Sequence, residues 1–311
     1  MDPALYATDP MVRQTLADYP SFFFRLLAVV VTQADLYSAY FWLHVLTCAG
    51  VLAAAYGLGK AIFKSRASGA VLALLMLAGH HHALAGDDLY SVGFTHTWAV
   101  FPLAIWAVML LYKEWYWAAF ALVGGRGILH VLTSGYLVAM FLMWAVFDYR
   151  VIGWKWRLAG MFGLFVLIAC PTMIDMLHHR QHFGAEWLTR TRIRSADHSF
   201  PSSWWTAGAR DVPRFVLLMG LAAVSLSFPA FGRNQRKSLL MAAGVGVLFV
   251  IGFVFSDIWP VATVVRAQLY RSSRLLVVLM LAHIAHGIVR GWKLGDLRAI
   301  WKQSGRPNWQ G

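Results

Sequence analysis

The sequence has 311 residues, of which 59% are hydrophobic and only 13% are charged, and it contains 15 tryptophans. Soluble domains carry about 25% charged residues, so this composition excludes a soluble globular protein. It indicates an integral membrane protein whose tryptophans suit the membrane–water interfaces. The two cysteines, Cys48 and Cys170, lie within apolar runs, so they predict neither a disulfide framework nor a cysteine-based metal site.

The first 35 residues are polar apart from the stretch Phe22–Val31. That stretch is too short to cross a membrane and contains Arg25, which favours a helix lying in the interface. Pro20 suits the first turn of such a helix. Residues 1–35 therefore predict an extracytoplasmic segment with an interfacial helix.

The rest of the chain predicts an all-α, polytopic transmembrane bundle of about nine spans in a single domain. The bundle covers residues 36–289, and residues 290–311 form a tail. The apolar segments are Leu36–Leu58, Ala70–Ala85, Thr95–Tyr112, Trp115–Val123, Ile128–Phe147, Leu158–Leu177, Pro213–Phe231, Leu239–Ile258 and Leu275–Val289. Ala70–Ala85 and Trp115–Val123 are shorter than the roughly 20 residues that a full crossing needs.

The basic residues segregate when these nine segments alternate across the membrane. One side then carries 15 basic and 3 acidic residues, a net charge of +12, and the other carries 12 basic and 11 acidic residues, a net charge of +1. The positive-inside rule therefore predicts a cytoplasmic C-terminus. It places residues 1–35, 80–95 and 178–212 outside, with shorter outer stretches at Gly124–Gly127 and Arg266–Arg274. The total charge of +13 is thus explained by membrane orientation and not by nucleic-acid binding.

Four carboxylates on the predicted outer side are candidate catalytic residues. They are Asp2, Asp9, Asp87 and Asp88. A carboxylate at a membrane surface can act as a general base or bind a divalent cation. The alternative is a solvated loop, which suits Asp87 and Asp88 less well because they lie between two apolar segments.

Histidines are candidate metal ligands, because clusters of this residue suggest a transition metal. The candidates in the outer loops are His80, His82, His178 and His182. Hydrogen-bonded interfacial histidines are the alternative. A further four histidines fall within predicted spans and are considered as haem ligands: His44, His130, His283 and His286. Their depths in the membrane match for one pair at most.

Arginines on the predicted outer side run against the positive-inside trend. Arg126 lies in the sequence GGRG, and Arg271 and Arg274 follow Gln268 just before the last span. A guanidinium group can bind phosphate oxygens through two parallel hydrogen bonds. These arginines are therefore candidate ligands for a lipid phosphate. The alternatives are side chains that reach toward the headgroups, or an ion pair with Asp257.

Several stretches resemble one known family. They are DPALYATDP, YPSFFFRLL, THTWAVFPLAIWAV, ILHVLTSGYLV and QLYRSSRLL. Together they resemble a large bacterial family of multispanning membrane proteins related to the GT-C class of glycosyltransferases, which use polyprenyl-phosphate sugar donors. The resemblance implies a further helix upstream of residue 1. It also implies an outer loop with interfacial helices, and an active site that faces away from the cytoplasm.

The resemblance also implies roles for individual residues. Asp2 or Asp9 is then the acid of the first outer loop, and Asp87 and Asp88 are the acids of the second. His130 then lines the cavity. Arg271 meets the donor phosphate, and Arg126, Gln268 and Arg274 are further candidates for substrate binding.

Three functions follow from these observations. The first is a GT-C-like protein of the bacterial inner membrane that transfers a sugar from a polyprenyl-phosphate carrier to an extracytoplasmic acceptor. Its partners are the lipid bilayer and the polyprenyl-phosphate-linked sugar, and its candidate cofactor is a divalent metal ion. The alternative is a non-catalytic lipid- or glycan-binding protein or a transporter. The second alternative is a histidine-based metal or haem membrane protein.

Overall fold

The computed structural model describes residues 21–32, 34–78, 81, 83–85, 89, 93–149, 153, 155–178, 185–194, 196–205, 211–227 and 232–304. The side chains at positions 178, 185, 205 and 293–304 lie outside this description. Every regular element in the described part is helical, which confirms the all-α prediction.

The helices follow one another with short connections where the chain is described. They are α1 (Phe23–Val30), α2 (Leu36–Phe63), α3 (Arg66–Ala78), α4 (His96–Ala99), α5 (Phe101–Tyr112), α6 (Tyr116–Leu129), α7 (Val131–Phe147), α8 (Lys155–His178), α9 (Ala185–Arg194), α10 (Ala196–Ser199), α11 (Asp211–Ser227), α12 (Arg233–Phe253), α13 (Ala262–Ala267) and α14 (Ser273–Ser304). Three irregular turns complete the set: 3-10 turns at Pro201–Trp205 and Leu269–Ser272, and a π turn at Val254–Ile258.

Four helical stretches of the described chain are long and apolar enough to cross a membrane. They are Leu36–Phe63, Lys155–Leu177, Arg233–Ile258 and Ala262–Trp292. Shorter apolar helices lie at Arg66–Ala78, His96–Tyr112 and Val131–Phe147. Each of the nine predicted segments overlaps a helix. The membrane character of the chain is thus supported by four helices, and the count of nine spans stays a prediction.

Two boundaries differ from the sequence prediction. The stretch Gly124–Gly127 is helical and not an outer turn, because α6 continues to Leu129 and the chain changes direction at His130. A Cβ atom at Gly124 would lie 2.9 Å from the Cβ of Ile168 in α8, so this glycine permits close helix packing instead of a bend. In the segment predicted to extend to Ala85, the helix is described from Arg66 to Ala78, and the described residues 83–85 are not helical.

The helices pack in a closed network around an apolar core. Helix α2 packs against α3 and α5, α6 against α5 and α8, α7 against α12, and α14 against α3 and α11. Glycines bring two of these pairs into backbone contact: a Cβ atom at Gly59 would lie 2.9 Å from the Cα of Gly69, and one at Gly244 would lie 2.9 Å from the carbonyl oxygen of Ala139. Small residues of this kind are typical of helix contacts in membranes.

Residues from the predicted cytoplasmic side meet at one end of the bundle, which we call the inner end. The Lys237 side chain, 1% exposed, donates to the carbonyl oxygen of Leu111 at 3.0 Å. Its ammonium group lies over the rings of Tyr112, Tyr116 and Trp144 at 5.1 to 5.8 Å. These contacts hold the ends of α5, α6 and α7 against the start of α12.

Ion pairs surround this buried lysine. Arg233 pairs with Glu114 at 2.8 Å, and Arg236 pairs with the buried carboxylate of Asp148 at 3.0 Å. Arg233 and Arg236, which were predicted on the cytoplasmic side, are therefore paired with acidic residues that were predicted on the same side.

The opposite end, which we call the outer end, is tied to the N-terminal helix. Ser21 donates its hydroxyl hydrogen to the carbonyl oxygen of Leu129 at 2.5 Å. The backbone N–H of Phe22 donates to the carbonyl oxygen of Ile128 at 3.0 Å. These bonds satisfy carbonyls that the last turn of a helix leaves open. The helix predicted near Phe22–Val31 is present as α1, and it begins where α6 ends.

Candidate functional site

A cavity opens at the outer end of the bundle, between α5, α6, α7 and the start of α14. Its free volume is about 10 Å³, room for about one water molecule. Its lining residues are Thr97, Phe101, Arg126, Thr133, Tyr136, Arg271, Arg274 and Leu275. Three of these are arginines, and no carboxylate belongs to the lining among the described residues. The cavity therefore has the charge that an anion requires.

Arg126 reaches this cavity from the last turn of α6. Its side chain is 2% exposed, and its Nε–H donates to the carbonyl oxygen of Val100 at 2.9 Å. Its Nη1 atom is buried without a hydrogen-bond partner in the described part of the chain. A buried guanidinium is costly unless it is paired, so this donor is available to an anion in the cavity.

Arg271 enters from the 3-10 turn at Leu269–Ser272, and Arg274 enters from the first turn of α14. The guanidinium group of Arg274, 8% exposed as a residue, lies 4.9 Å from the centre of the Phe101 ring. The hydroxyl of Ser273, between them, donates to the carbonyl oxygen of Leu84 at 3.1 Å. This bond fixes the start of α14 against the segment that leads toward Asp87 and Asp88 in the sequence.

Tyr136 holds the corner from which the arginine segment starts. Its hydroxyl oxygen lies 2.6 Å from the carbonyl oxygen of Ala267 and 2.8 Å from that of Gln268. Gln268 has a φ of +46°, in the left-handed region that costs a non-glycine residue about 1 kcal/mol or more. Gln268 thus shapes the turn through its backbone, and its side chain is not among the residues that line the cavity.

His130 lies directly behind the cavity wall and is 5% exposed. Its Nε2 atom is 2.9 Å from the hydroxyl oxygen of Thr97, and its Nδ1 atom is 3.0 Å from that of Thr133. The ring stacks on His96 with centroids 4.9 Å apart. His130 therefore contacts two lining residues, although it does not line the cavity itself.

The structure brings together the predicted arginines Arg126, Arg271 and Arg274, which come from two separate parts of the sequence. Asp257, considered as an ion-pair partner for Arg271, instead accepts from the backbone N–H and hydroxyl of Ser202 at 3.1 and 2.7 Å. It also lies 3.9 Å from Arg192.

The predicted catalytic and metal-binding residues lie outside the described part of the chain. These are Asp2, Asp9, Asp87, Asp88, His80, His82 and His182, together with the side chain of His178. Among the side chains that are described, no group of three or more histidine, cysteine, aspartate or glutamate residues is arranged to hold a metal ion.

The four histidines within predicted spans lie at different depths. The Nε2 atom of His283 is 2.9 Å from the hydroxyl oxygen of Ser238, at the inner end next to Lys237. His286, one turn further along α14, contacts Ser68 at 3.0 Å. His130 is at the outer end, and the remaining histidine of this set lies on α2. The pair on α14 therefore does not face His130.

Five lining residues were not candidates from the sequence: Thr97, Phe101, Thr133, Tyr136 and Leu275. Only Thr133 had a local signal, because it lies three residues after His130, the spacing at which a capping side chain meets a helix N-terminus.

Comparison with known proteins adds no relative to this geometry: no family model, no curated protein and no solved structure matches the chain.

Proposed function

We propose that the protein binds the phosphate of a polyprenyl-phosphate sugar in the arginine-lined cavity and transfers the sugar to an acceptor on the outer side of the membrane. The observation that carries this proposal is the convergence of Arg126, Arg271 and Arg274 on one cavity. Guanidinium groups match phosphate oxygens in geometry and stay charged. The attraction between a guanidinium group and a phosphate is stronger away from bulk water, where the dielectric constant is lower.

The surroundings of the cavity favour a phosphate carried by a lipid. Phe101 and Leu275 add apolar surface to the lining, and the cavity lies among apolar helices. A prenyl chain dissolves in the same hydrocarbon that surrounds these helices, so its phosphate would arrive at the cavity from the membrane.

In the proposed reaction, the bond between the anomeric carbon and the phosphate oxygen breaks while a bond to the acceptor oxygen forms. The acceptor proton passes to a carboxylate base, and the arginines stabilise the polyprenyl phosphate that leaves. Asp2, Asp9, Asp87 and Asp88 remain the candidate bases. The bond between Ser273 and Leu84 supports Asp87 and Asp88, because it ties the segment before them to the arginine segment.

A transfer assay tests this function. The purified protein is incubated with a polyprenyl-phosphate sugar that is radiolabelled in the sugar and with extracts of extracytoplasmic glycans. Transfer of the label to the glycans is measured. We expect turnover by the wild type and its loss in Asp87→Asn or Asp88→Asn, with binding retained. A wild-type protein that binds no polyprenyl phosphate contradicts the proposal.

A second candidate function is non-catalytic binding or transport of the same class of lipid. It is favoured by the lining itself, in which three arginines stand beside Phe101 and Leu275, because this combination suits a lipid phosphate whether or not a base is present. Tight binding of polyprenyl phosphate without turnover, unchanged by Asp87→Asn and Asp88→Asn, would support this candidate over the transferase.

A further inference from the structure

We propose that Thr97 is an additional anion-binding residue of the cavity and that His130 positions it by directing the Thr97 hydroxyl hydrogen toward the bound phosphate. This inference rests on the proposed function, because it takes the cavity to be an anion site. Neither role follows from the arginines alone.

The first step is the position of His130 at the start of α7. His130 is the N-cap residue, with an extended backbone, and its Nδ1 atom lies 3.5 Å from the backbone nitrogen of Thr133. That N–H points at the ring, which favours a lone pair on Nδ1, and the Thr133 hydroxyl 3.0 Å away can donate to the same atom. The positive end of the helix dipole also disfavours a hydrogen on Nδ1. The neutral imidazole therefore carries its hydrogen on Nε2.

The second step follows from the 2.9 Å distance between His130 Nε2 and the hydroxyl oxygen of Thr97. Because Nε2 carries the hydrogen, Nε2–H donates and the Thr97 oxygen accepts. A threonine hydroxyl has one hydrogen of its own, which this contact leaves unused. The nearest rival acceptor among the described residues is Nε2 of His96 at 3.4 Å, beyond the usual range of about 2.5–3.0 Å for a hydroxyl donor.

The third step is the place of Thr97 in the cavity. Thr97 lines the same space as the three arginines, so an anion drawn there meets its hydroxyl group. With the hydrogen on Nε2 of His130, Thr97 donates to the anion. With the opposite tautomer, Thr97 would donate to His130 and present only lone pairs, which repel an anion. His130 is a positioning residue because it is buried behind the wall and acts through Thr97.

The test begins with Thr97→Val, which removes the hydroxyl and keeps the shape of the side chain. Affinity is measured by microscale thermophoresis on the full-length protein in nanodiscs, with a polyprenyl phosphate and with inorganic phosphate as separate probes. We expect about a tenfold or greater loss, the usual value of a hydrogen bond to a charged group. Thr97→Ser should restore the affinity. Thr47→Val is the matched control, because the Thr47 hydroxyl donates within its own helix to Leu43.

His130→Asn tests the positioning role, because asparagine is a strong N-cap but lacks the Nε2 donor. We expect weaker binding in the wild-type background and no further loss in the Thr97→Val background. Equal losses in both backgrounds would show that His130 acts independently of Thr97. NMR of ¹⁵N-labelled histidine reports which ring nitrogen of His130 carries the hydrogen. A hydrogen on Nδ1 would overturn the inference.

The outcomes separate this inference from the proposed function. A wild-type protein that binds neither probe contradicts both. Wild-type binding that Thr97→Val leaves unchanged contradicts only the role of Thr97. If Thr97→Val lowers the affinity for both probes, Thr97 contacts the phosphate group itself. If the wild type binds only polyprenyl phosphate and Thr97→Val lowers that affinity, Thr97 contacts a lipid-linked phosphate.

Discussion

Replacing Arg126 by methionine should affect stability and ligand binding in opposite directions. In the ligand-free protein the substitution removes the bond to the carbonyl oxygen of Val100, worth about 1.5–3 kcal/mol because its donor is charged. It also removes a buried charge and the unpaired Nη1 donor, and the donor alone costs about 1–3 kcal/mol. The free energy of unfolding without ligand should therefore stay the same or rise by about 1–2 kcal/mol.

The same substitution removes a guanidinium group from the anion site. A hydrogen bond to a charged group contributes about 1.5–3 kcal/mol, so affinity for polyprenyl phosphate should fall at least about tenfold. Thermal unfolding followed by tryptophan fluorescence, with and without polyprenyl phosphate, measures both effects. The ligand-induced rise in Tm should shrink while the ligand-free Tm does not fall.

Arg190→Met is the matched control, because Arg190 is exposed and, among the described residues, pairs within its own helix with Glu186. It should change neither quantity. A clear drop of the ligand-free Tm in Arg126→Met, or an unchanged affinity, would show that Arg126 is a structural residue and that the reasoning from its unpaired donor is wrong.

Other positions give further predictions. Arg271→Lys should weaken polyprenyl-phosphate binding about tenfold with little change in Tm, because lysine lacks the planar fork; equal affinity would argue against a phosphate contact there. Gly244→Ala should lower Tm, since its Cβ would meet the backbone of α7 at 2.9 Å, whereas Gly246→Ala, with open space around it, should not; similar Tm values would contradict the packing. In intact cells, His198→Cys and Ser304→Cys should be labelled from opposite sides of the membrane, and labelling from the same side would refute the topology.

The sequence was most informative where a residue broke a general rule. Arg271 and Arg274 stood out because they oppose the positive-inside trend, and both line the cavity. The role of Tyr136 could not be predicted, because it depends on contact with Ala267, 131 residues further along the chain. Local hydrophobic periodicity predicts helices but does not predict which helices pack against each other.

The glycines around Arg126 show why a local pattern can mislead. Glycine serves both sharp turns and close helix contacts, and the choice is made by the neighbouring helix. At Gly124 that neighbour is α8, whose Ile168 leaves no room for a side chain. The turn predicted at Gly124–Gly127 was therefore wrong, and Arg126 was placed in a loop when it lies in a helix.

The shortness of α6 has a consequence for the surrounding lipid. With 14 residues in α6 and 17 in α7, a rise of 1.5 Å per residue gives lengths of about 21 and 26 Å, against a hydrocarbon core of about 30 Å. The contacts of Lys237 with Tyr112, Tyr116 and Trp144 keep their inner ends level, so on the predicted nine-span topology the whole shortfall falls at the outer end. Hydrophobic mismatch of this kind thins the adjacent bilayer. Under the proposed function, the acyl-chain length of the neighbouring lipids would then set how far a lipid-borne phosphate must sink to meet Arg126.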